Sequence, residues 1–540
     1  MSIVEDRGPG TGWSTFGAER SLLVVVRTVT ALARLLDVVS LTSDDRRIQT
    51  WFTLDTSRPA KLGAGLPARL EALEAPTLAW PEAVRSRFDL TVAASENDGI
   101  ERMSGPVLLV PHGAGFEKYY PGTDVVAGMD PTRLVVAGRL VPAAIGLSHA
   151  DQRALLQRVC PPAVPRSHVI GDPTLDRMLA SRHRAASFAA RLDARGRKLV
   201  VVGSTFGPDS LLGASPELPD RLAAQLPVDE YRIVMLPHPG VWAHGPWQVR
   251  AWLSRAAAAG VLVLGPDQAW QAALVAADCV ISDHGSTSLY AAALGKPVLL
   301  AGRVSATTVA GSATSALRTV AGVLDADGDL RGQIEAVCDD RNPDAISRVA
   351  GLAIQHPGQA AHRLRTLMYE LMRLEVPAEP ADSRPYPLPV VSATPIGALV
   401  AAAGVRADEV AVVRHPDLPG EPDARDYRHL VVDSDTAALG QVAAAAVLCL
   451  PIGPRWPAMA AELLRRWPAA TLVAGVVDAR TCRIRTRERE VLLAAPIDAD
   501  EVDPMVLASL AYVRLRPHDR LLVGGRVYPV TVTDWPAGAG

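Results

Sequence analysis

Residues 279–300, Cys-Val-Ile-Ser-Asp-His-Gly-Ser-Thr-Ser-Leu-Tyr-Ala-Ala-Ala-Leu-Gly-Lys-Pro-Val-Leu-Leu, carry the densest chemical signal in the chain. Val280 to Ser282 read as a short apolar strand and Asp283-His284-Gly285 as a turn. Ser286-Thr287-Ser288 then open a helix that Gly295-Lys-Pro ends, and Val298 to Leu300 read as a buried strand. A helix N-terminus presents unpaired amides and the positive end of its dipole, so it attracts anions, and hydroxyls there either hold a phosphate or cap the helix. Asp283 is expected to fix the turn, because a carboxylate facing a bound phosphate would repel it.

Two histidines stand at strand ends: Val107-Leu-Leu-Val-Pro-His112-Gly113, followed by Lys118, and Ile233-Val-Met-Leu-Pro-His238-Pro239. At the carboxyl end of a strand an imidazole projects into a cleft, and its proton affinity suits transfer near neutral pH. The plainer alternative is a histidine hydrogen-bonded at a sheet end. His-Pro recurs at His356-Pro357 and His415-Pro416, so the dipeptide alone is not specific. Between the two histidines lies Val169-Ile-Gly171-Asp172-Pro173-Thr-Leu-Asp176.

In order and spacing these segments resemble the CDP-glycerol glycerophosphotransferase family, whose pattern runs His-Gly, Gly-x-Pro-x-x-Asp, His-Pro and Asp-Tyr-Ser-Ser. GT-B glycosyltransferases and the UDP-N-acetylglucosamine 2-epimerases are similar in outline. The resemblance spans about residues 100–305. It implies that His112 removes the proton of an acceptor hydroxyl and that His238 contacts the donor phosphates and the departing nucleotide. Gly285, Ser286, Thr287 and Ser288 would bind the donor diphosphate, with Gly113, Lys118, Gly171, Asp176, Thr205, Ser210, Asp283 and His284 as further cleft residues. His284 stands where the family has Tyr, Gly285 where it has the first Ser, and the family's Pro-Thr-x-Arg appears only as Ser204-Thr-Phe-Gly-Pro-Asp-Ser210. Those departures leave the donor open between CDP-linked and UDP-linked compounds.

Several other motifs lead nowhere. Asp433-Ser-Asp435 is similar to the metal-binding Asp-x-Asp of GT-A transferases, but a solvated strand-end turn is the better reading. Asp325-Ala-Asp-Gly-Asp329 lacks the glycine and glutamate of a calcium loop, and no Gly-Lys-Ser/Thr phosphate loop occurs. Gly8, Gly10 and Gly12 mimic a dinucleotide fingerprint but precede the first strand instead of following it. The expectation is therefore metal-independent chemistry with no separate cofactor.

These residues need a scaffold. At 540 residues with 49% hydrophobic content the chain can build several large cores, and its net charge of −3 gives no field for nucleic acid. Only four of the 55 basic residues are lysine (Lys61, Lys118, Lys198, Lys296), so Lys118 and Lys296 beside the motifs stand out. The five cysteines sit mostly in apolar runs and read as reduced. No signal peptide or membrane span is expected, because Arg27 and Arg34 interrupt the best apolar stretch.

Strands at Leu22–Val26, Ile48–Leu54, Asp89–Ala93, Val107–Val110 and Leu134–Ala137 alternate with helices at Thr28–Val38 and Leu66–Leu73, implying a covered parallel sheet. A second unit opens at Lys198. The predicted fold class is α/β and GT-B-like: 1–185 an acceptor unit, 186–375 a nucleotide-donor unit closed by a helix over Ala360–Leu374, 376–390 a Pro-rich linker, and 391–540 a further domain of unknown role. Apolar strands are expected there near Val410, Leu430, Val447 and Leu472, with hairpins around 482–494 and 521–532.

The function expected is transfer of a polyol phosphate or sugar from a nucleotide-diphosphate donor to a hydroxyl acceptor, lipid-linked or polymeric, in cell-envelope or capsular polymer synthesis. Two alternatives stand beside it. One is a noncatalytic nucleotide-binding scaffold that holds a protein partner through 391–540. The other is a sugar-nucleotide 2-epimerase, which needs acid/base carboxylates that the sequence does not place. A cytoplasmic location is expected, with peripheral contact at the inner face of the membrane left open.

Overall fold

The computed structural model describes residues 17–56, 62–63, 65–120, 122–266, 268–339, 343–419, 427–498, 501–514, 516 and 519–534. Gly8, Gly10, Gly12 and Lys61 lie outside the described residues. Among those described, a seven-stranded sheet runs Thr77–Leu78, Ile48–Leu54, Arg20–Val26, Leu90–Ala93, Val107–Leu109, Ala144–Leu147, Ser167–Val169, every pairing parallel. A six-stranded sheet runs Leu262–Val263, Tyr231–Pro237, Lys198–Ser204, Cys279–Ser282, Val298–Leu300, Gly322–Val323, again all parallel. Leu22 to Val26 and Leu199 to Val202 are wholly buried, as strands covered on both faces must be. The α/β, GT-B-like architecture is thus two Rossmann-like units whose strand ends define a cleft.

The expected strand over Leu134–Ala137 is not part of the sheet. Val135–Val136 pairs with Arg139–Leu140 in a small antiparallel ribbon turned by Ala137 and Gly138, both at positive φ. Ala144–Leu147 takes the sheet position, because its four residues are buried whereas Val136 is exposed.

Chain order and core membership also diverge. The helix Ala360–Met372, read as closing the second unit, packs Leu364, Leu367, Met368, Tyr369 and Met372 into the first core beside Leu22, Val24 and Leu35. Conversely Leu175 and Met178, grouped with the first unit by sequence, enter the second core with Phe188, Leu192, Val201, Leu274 and Leu289. The chain crosses over at Gly171-Asp172-Pro173, and again before Ala360.

The Pro-rich segment 376–390 is not a free tether. Tyr386 is buried, its hydroxyl donates to Asp37 Oδ2 at 3.0 Å, its amide donates to Ser181 Oγ at 2.8 Å, and Arg177 lies over its ring at 4.1 Å. It straps across the crossover.

Residues 398–534 form one ten-stranded mixed sheet, with the expected strands and both hairpins present. This domain is bolted to the second unit by Arg414. That guanidinium is 1% exposed and meets Asp229 through Nε at 2.9 Å and Nη2 at 2.6 Å, while the Arg414 carbonyl accepts from Val228. Removing one member of such a pair strands a buried charge, so Arg414→Met should cost about 3–5 kcal/mol in urea unfolding, whereas Arg414→Met with Asp229→Leu should recover much of that loss. A double variant as unstable as the single one would show that shape, not charge, holds the joint.

Candidate functional site

Because strands within each sheet are parallel, the loops that follow them emerge on one edge. From the first sheet come Ala94 to Asp98 and His112 to Lys118; from the second come Thr205 to Ser210, His238 and Asp283 to Ser288. The two edges meet. The Ala114 amide lies 3.3 Å from Ser286 Oγ, Tyr119 donates to the Thr307 carbonyl at 2.7 Å, and the Thr314 amide donates to Glu117 at 2.9 Å. A Cβ on Gly113 would sit 2.7 Å from Ser286 Oγ, so a glycine is what permits this approach.

The turn before the helix Ser286–Ala293 is organised by Asp283, which is buried. Its Oδ2 accepts from the Thr205 amide at 2.8 Å, Thr205 Oγ1 at 2.9 Å and the Leu211 amide at 2.9 Å. Gly285 is the helix N-cap and no side chain caps the first turn. A Cβ there would meet the Thr205 methyl at 2.6 Å, which accounts for glycine where the resembling family carries serine. Ser286 and Thr287 are half-buried at the cleft, whereas Ser288 is buried and returns its hydroxyl to the Gly285 carbonyl at 2.8 Å. Ser210 is likewise buried and caps the short helix Leu211–Ala214 by accepting from Gly213 at 3.0 Å.

His112, Lys118, His238 and His284 face one another electrostatically. His112 is exposed and lines a narrow pocket with Gly115, Phe116 and Gly128. Desolvation there lowers its proton affinity, Glu96 and the Ala94 backbone raise it, and Arg34 and Lys118 lower it. His238 Nδ1 accepts from the Gly240 amide at 2.9 Å, which puts its proton on Nε2. Its pKa falls to about 3, through burial first and then the charges of Lys118 and His112. His284, with Nε2 3.4 Å from Thr205 Oγ1, is also pushed down by burial and by Lys118. Burial lowers Lys118 itself, with Asp283 opposing. The arrangement is a ring of neutral imidazoles about one lysine, rich in hydrogen-bond donors.

Two expected cleft residues are placed elsewhere. Asp176 accepts from the amides of Gly358 (2.6 Å), Ala360 (2.6 Å) and Ala361 (3.3 Å), clamping the start of the helix Ala360–Met372, and its burial raises its pKa. Gly171, at φ +79°, passes 2.8 Å from the Gln355 carbonyl at the position of a Cβ. Both hold the crossover. Asp433 accepts from the amides of Asp435 (2.9 Å) and Thr436 (3.1 Å), a strand-end turn. Among the described residues no cluster of His, Cys, Asp or Glu has the geometry to hold a metal.

One neighbour went unnoticed in the sequence. Glu96 is buried, accepts from Tyr120 Oη at 2.7 Å and the Gly128 amide at 2.8 Å, and shares a narrow pocket with His112. Its signal was available, since Glu96 follows the strand Leu90–Ala93 as His112 follows Val107–Leu109, at the same sheet edge.

The His238 shift makes a stability prediction. From the ordinary value of 6.5 down to about 3 the unfolded chain holds a proton that folded His238 refuses, so stability is full above pH 6.5 and declines as pH falls through this window. His238→Asn should flatten that part of the profile in urea titrations at successive pH values. An unchanged slope would mean that His238 protonates freely in the fold.

No family model matches the sequence, and no curated protein matches it. Solved structures that are similar include Anabaena HepE in complex with UDP and glucose, at 14% identity and a TM-score of 0.38, covering 66% of this chain and 98% of that one. The S. aureus MnaA–UDP structure is similar at 12% identity and a TM-score of 0.44, covering 67% and 99%. The wall teichoic acid polymerase TagF is similar at 10% identity and a TM-score of 0.43, covering 66% and 89%. These are likenesses of fold.

Proposed function

We propose that this protein is a transferase that moves a polyol phosphate or a sugar from a nucleotide-diphosphate donor, CDP- or UDP-linked, to an acceptor hydroxyl. One observation carries the reading: the His112–Ala114 loop of the first unit touches Ser286 at the uncapped helix N-terminus of the second, with Lys118, His238 and His284 around the contact. An acceptor enters on the His112 side. Donor phosphates lie against the amides and hydroxyls of Ser286 and Thr287, with the Nε2–H of His238 donating to them. As the acceptor oxygen bonds to the donor's phosphorus or anomeric carbon, the bond to the nucleotide leaving group breaks and the acceptor proton passes to His112. Lys118 offsets charge on the leaving phosphate. No step calls for a metal.

A sugar-nucleotide 2-epimerase is the second reading, favoured by Glu96 beside His112. It would exchange a carbon-bound hydrogen of the sugar with solvent and need no acceptor. Deuterium entering recovered donor from heavy water, without transfer, would establish it in place of the first.

His112→Ala should leave donor affinity nearly unchanged in calorimetry and lower turnover about 10²–10⁴-fold, the range for a positioned general base. Ser286→Ala with Thr287→Ala should instead weaken nucleotide binding by about 1.5–3 kcal/mol. Turnover should survive EDTA. A wild type that binds nucleotide but transforms no donor, with His112→Ala identical to it, would make the protein a scaffold.

Donor binding should also draw protons from solution, because an anion among neutral imidazoles raises their proton affinity. Calorimetry in buffers of different ionisation enthalpy measures the uptake directly. Zero uptake at neutral pH would place the phosphates away from His238 and His284.

A further inference from the structure

We infer that the second unit carries a membrane-docking surface at the rim of the cleft, formed by Trp247, Trp252 and Phe206 with Arg250 and Arg255, whose partner is an anionic lipid bilayer. Large aromatic side chains are normally covered, yet Trp247 is 77% exposed, Trp252 55% and Phe206 52%. The helix Pro246–Trp252 turns Val249 inward and leaves Trp247, Arg250, Ala251 and Trp252 outward. His244 meets Trp252 edge-on, with ring centres 5.3 Å apart. Phe206, the third exposed aromatic, stands at the cleft, where its ring packs over Gly240 and lies 5.0 Å from the ring of His238.

Charge decides what such a surface fits. From Tyr231 to Pro266 the chain contains no Asp or Glu, while Arg250 and Arg255 are exposed beside the tryptophans. Among the described residues the ion pair these arginines make is that of Arg255 with Asp220, at 3.4 Å. Tryptophans flanked by arginines match the interface of an anionic bilayer, where the indoles sit at headgroup level and the guanidiniums meet lipid phosphates. No helix among the described residues is long and apolar enough to span a membrane, so the contact is peripheral. Docked this way, the cleft opens beside the headgroups. Only the last step, that a lipid-linked acceptor reaches His112 from that surface, rests on the transferase reading.

The test is sedimentation of the full chain with vesicles of phosphatidylcholine containing about 30 mol % phosphatidylglycerol, against pure phosphatidylcholine, at low and at ~0.1 M salt. Wild type should pellet with the anionic vesicles, less so as salt rises. Trp247→Ala with Trp252→Ala should lower partitioning at least about tenfold, since two indoles lose their apolar contact. Arg250→Glu should weaken it too. Nucleotide affinity in free solution should be the same in all variants, which keeps this outcome separate from the transferase reading. Wild type remaining in the supernatant at both salts, or tryptophan variants pelleting like wild type, would overturn the proposal. So would a wild-type dimer in sedimentation velocity that the tryptophan variants abolish, since the patch would then be an interface between copies of this chain.

Discussion

A single buried guanidinium joins the segments that chemistry would require to meet. Arg34 projects from the helix Val29–Val39 and is 3% exposed. It donates to Asp172 Oδ1 at 2.9 Å and Oδ2 at 2.8 Å, to Tyr290 Oη at 2.7 Å and to the Gly113 carbonyl at 3.1 Å. Those partners are the crossover, the helix Ser286–Ala293 and the loop that carries His112. Asp172 also caps the helix Pro173–Ala180, through Leu175 at 2.9 Å, and accepts from Tyr290 at 2.9 Å. A buried pair of this kind adds little net stability, because desolvation consumes most of the Coulomb gain, but it tolerates only one arrangement. Its consequence is geometric: the first unit, the hinge and the second unit share one register.

The same logic explains a second polar layer one turn along the helix. Asp37 faces Thr174, Arg177 and Tyr386, so the strap 376–390 is tied to the crossover it covers. Asp176 then fixes the return helix Ala360–Met372 onto the first core. Three buried carboxylates, Asp172, Asp37 and Asp176, therefore organise the two crossings of the chain. Positions of the Gly-x-Pro-x-x-Asp pattern that look like cleft chemistry in the sequence do structural work.

Legibility followed the range of the forces involved. Strands such as Leu22 to Val26 and the strand–turn–helix at 279–293 were readable because apolar runs, turn residues and helix stops are local signals. The position of His112 and of His238, each at the carboxyl edge of its own sheet, followed from parallel strands alone. What the sequence hid was settled by contacts across long separations. The helix Ala360–Met372 has an apolar face that would suit either unit, and only Asp176 and the first core choose between them. Tyr386 lies among prolines, and nothing local says that its hydroxyl finds Asp37. Glu96 was missed because a carboxylate after a strand looks like any solvated turn until His112 is seen on the neighbouring strand.

The electrostatics of the cleft follow from how closed it is. The contacts of Glu117 and Tyr119 with the second unit bring Lys118 close enough to depress both His238 and His284. With solvent partly excluded, protonating His238 or His284 adds a like charge beside Lys118, which lowers their proton affinity further than burial alone. An anion reverses the sign of that penalty. Charge and hydrogen bonds that a metal would otherwise supply would then be recruited by the ligand itself, from protons taken up as it binds. The glycine at 113 belongs to the same constraint, since a Cβ there would press on Ser286 Oγ and hold the two loops apart, whereas the glycine at 285 lets Thr205 lie against the helix start within the second unit.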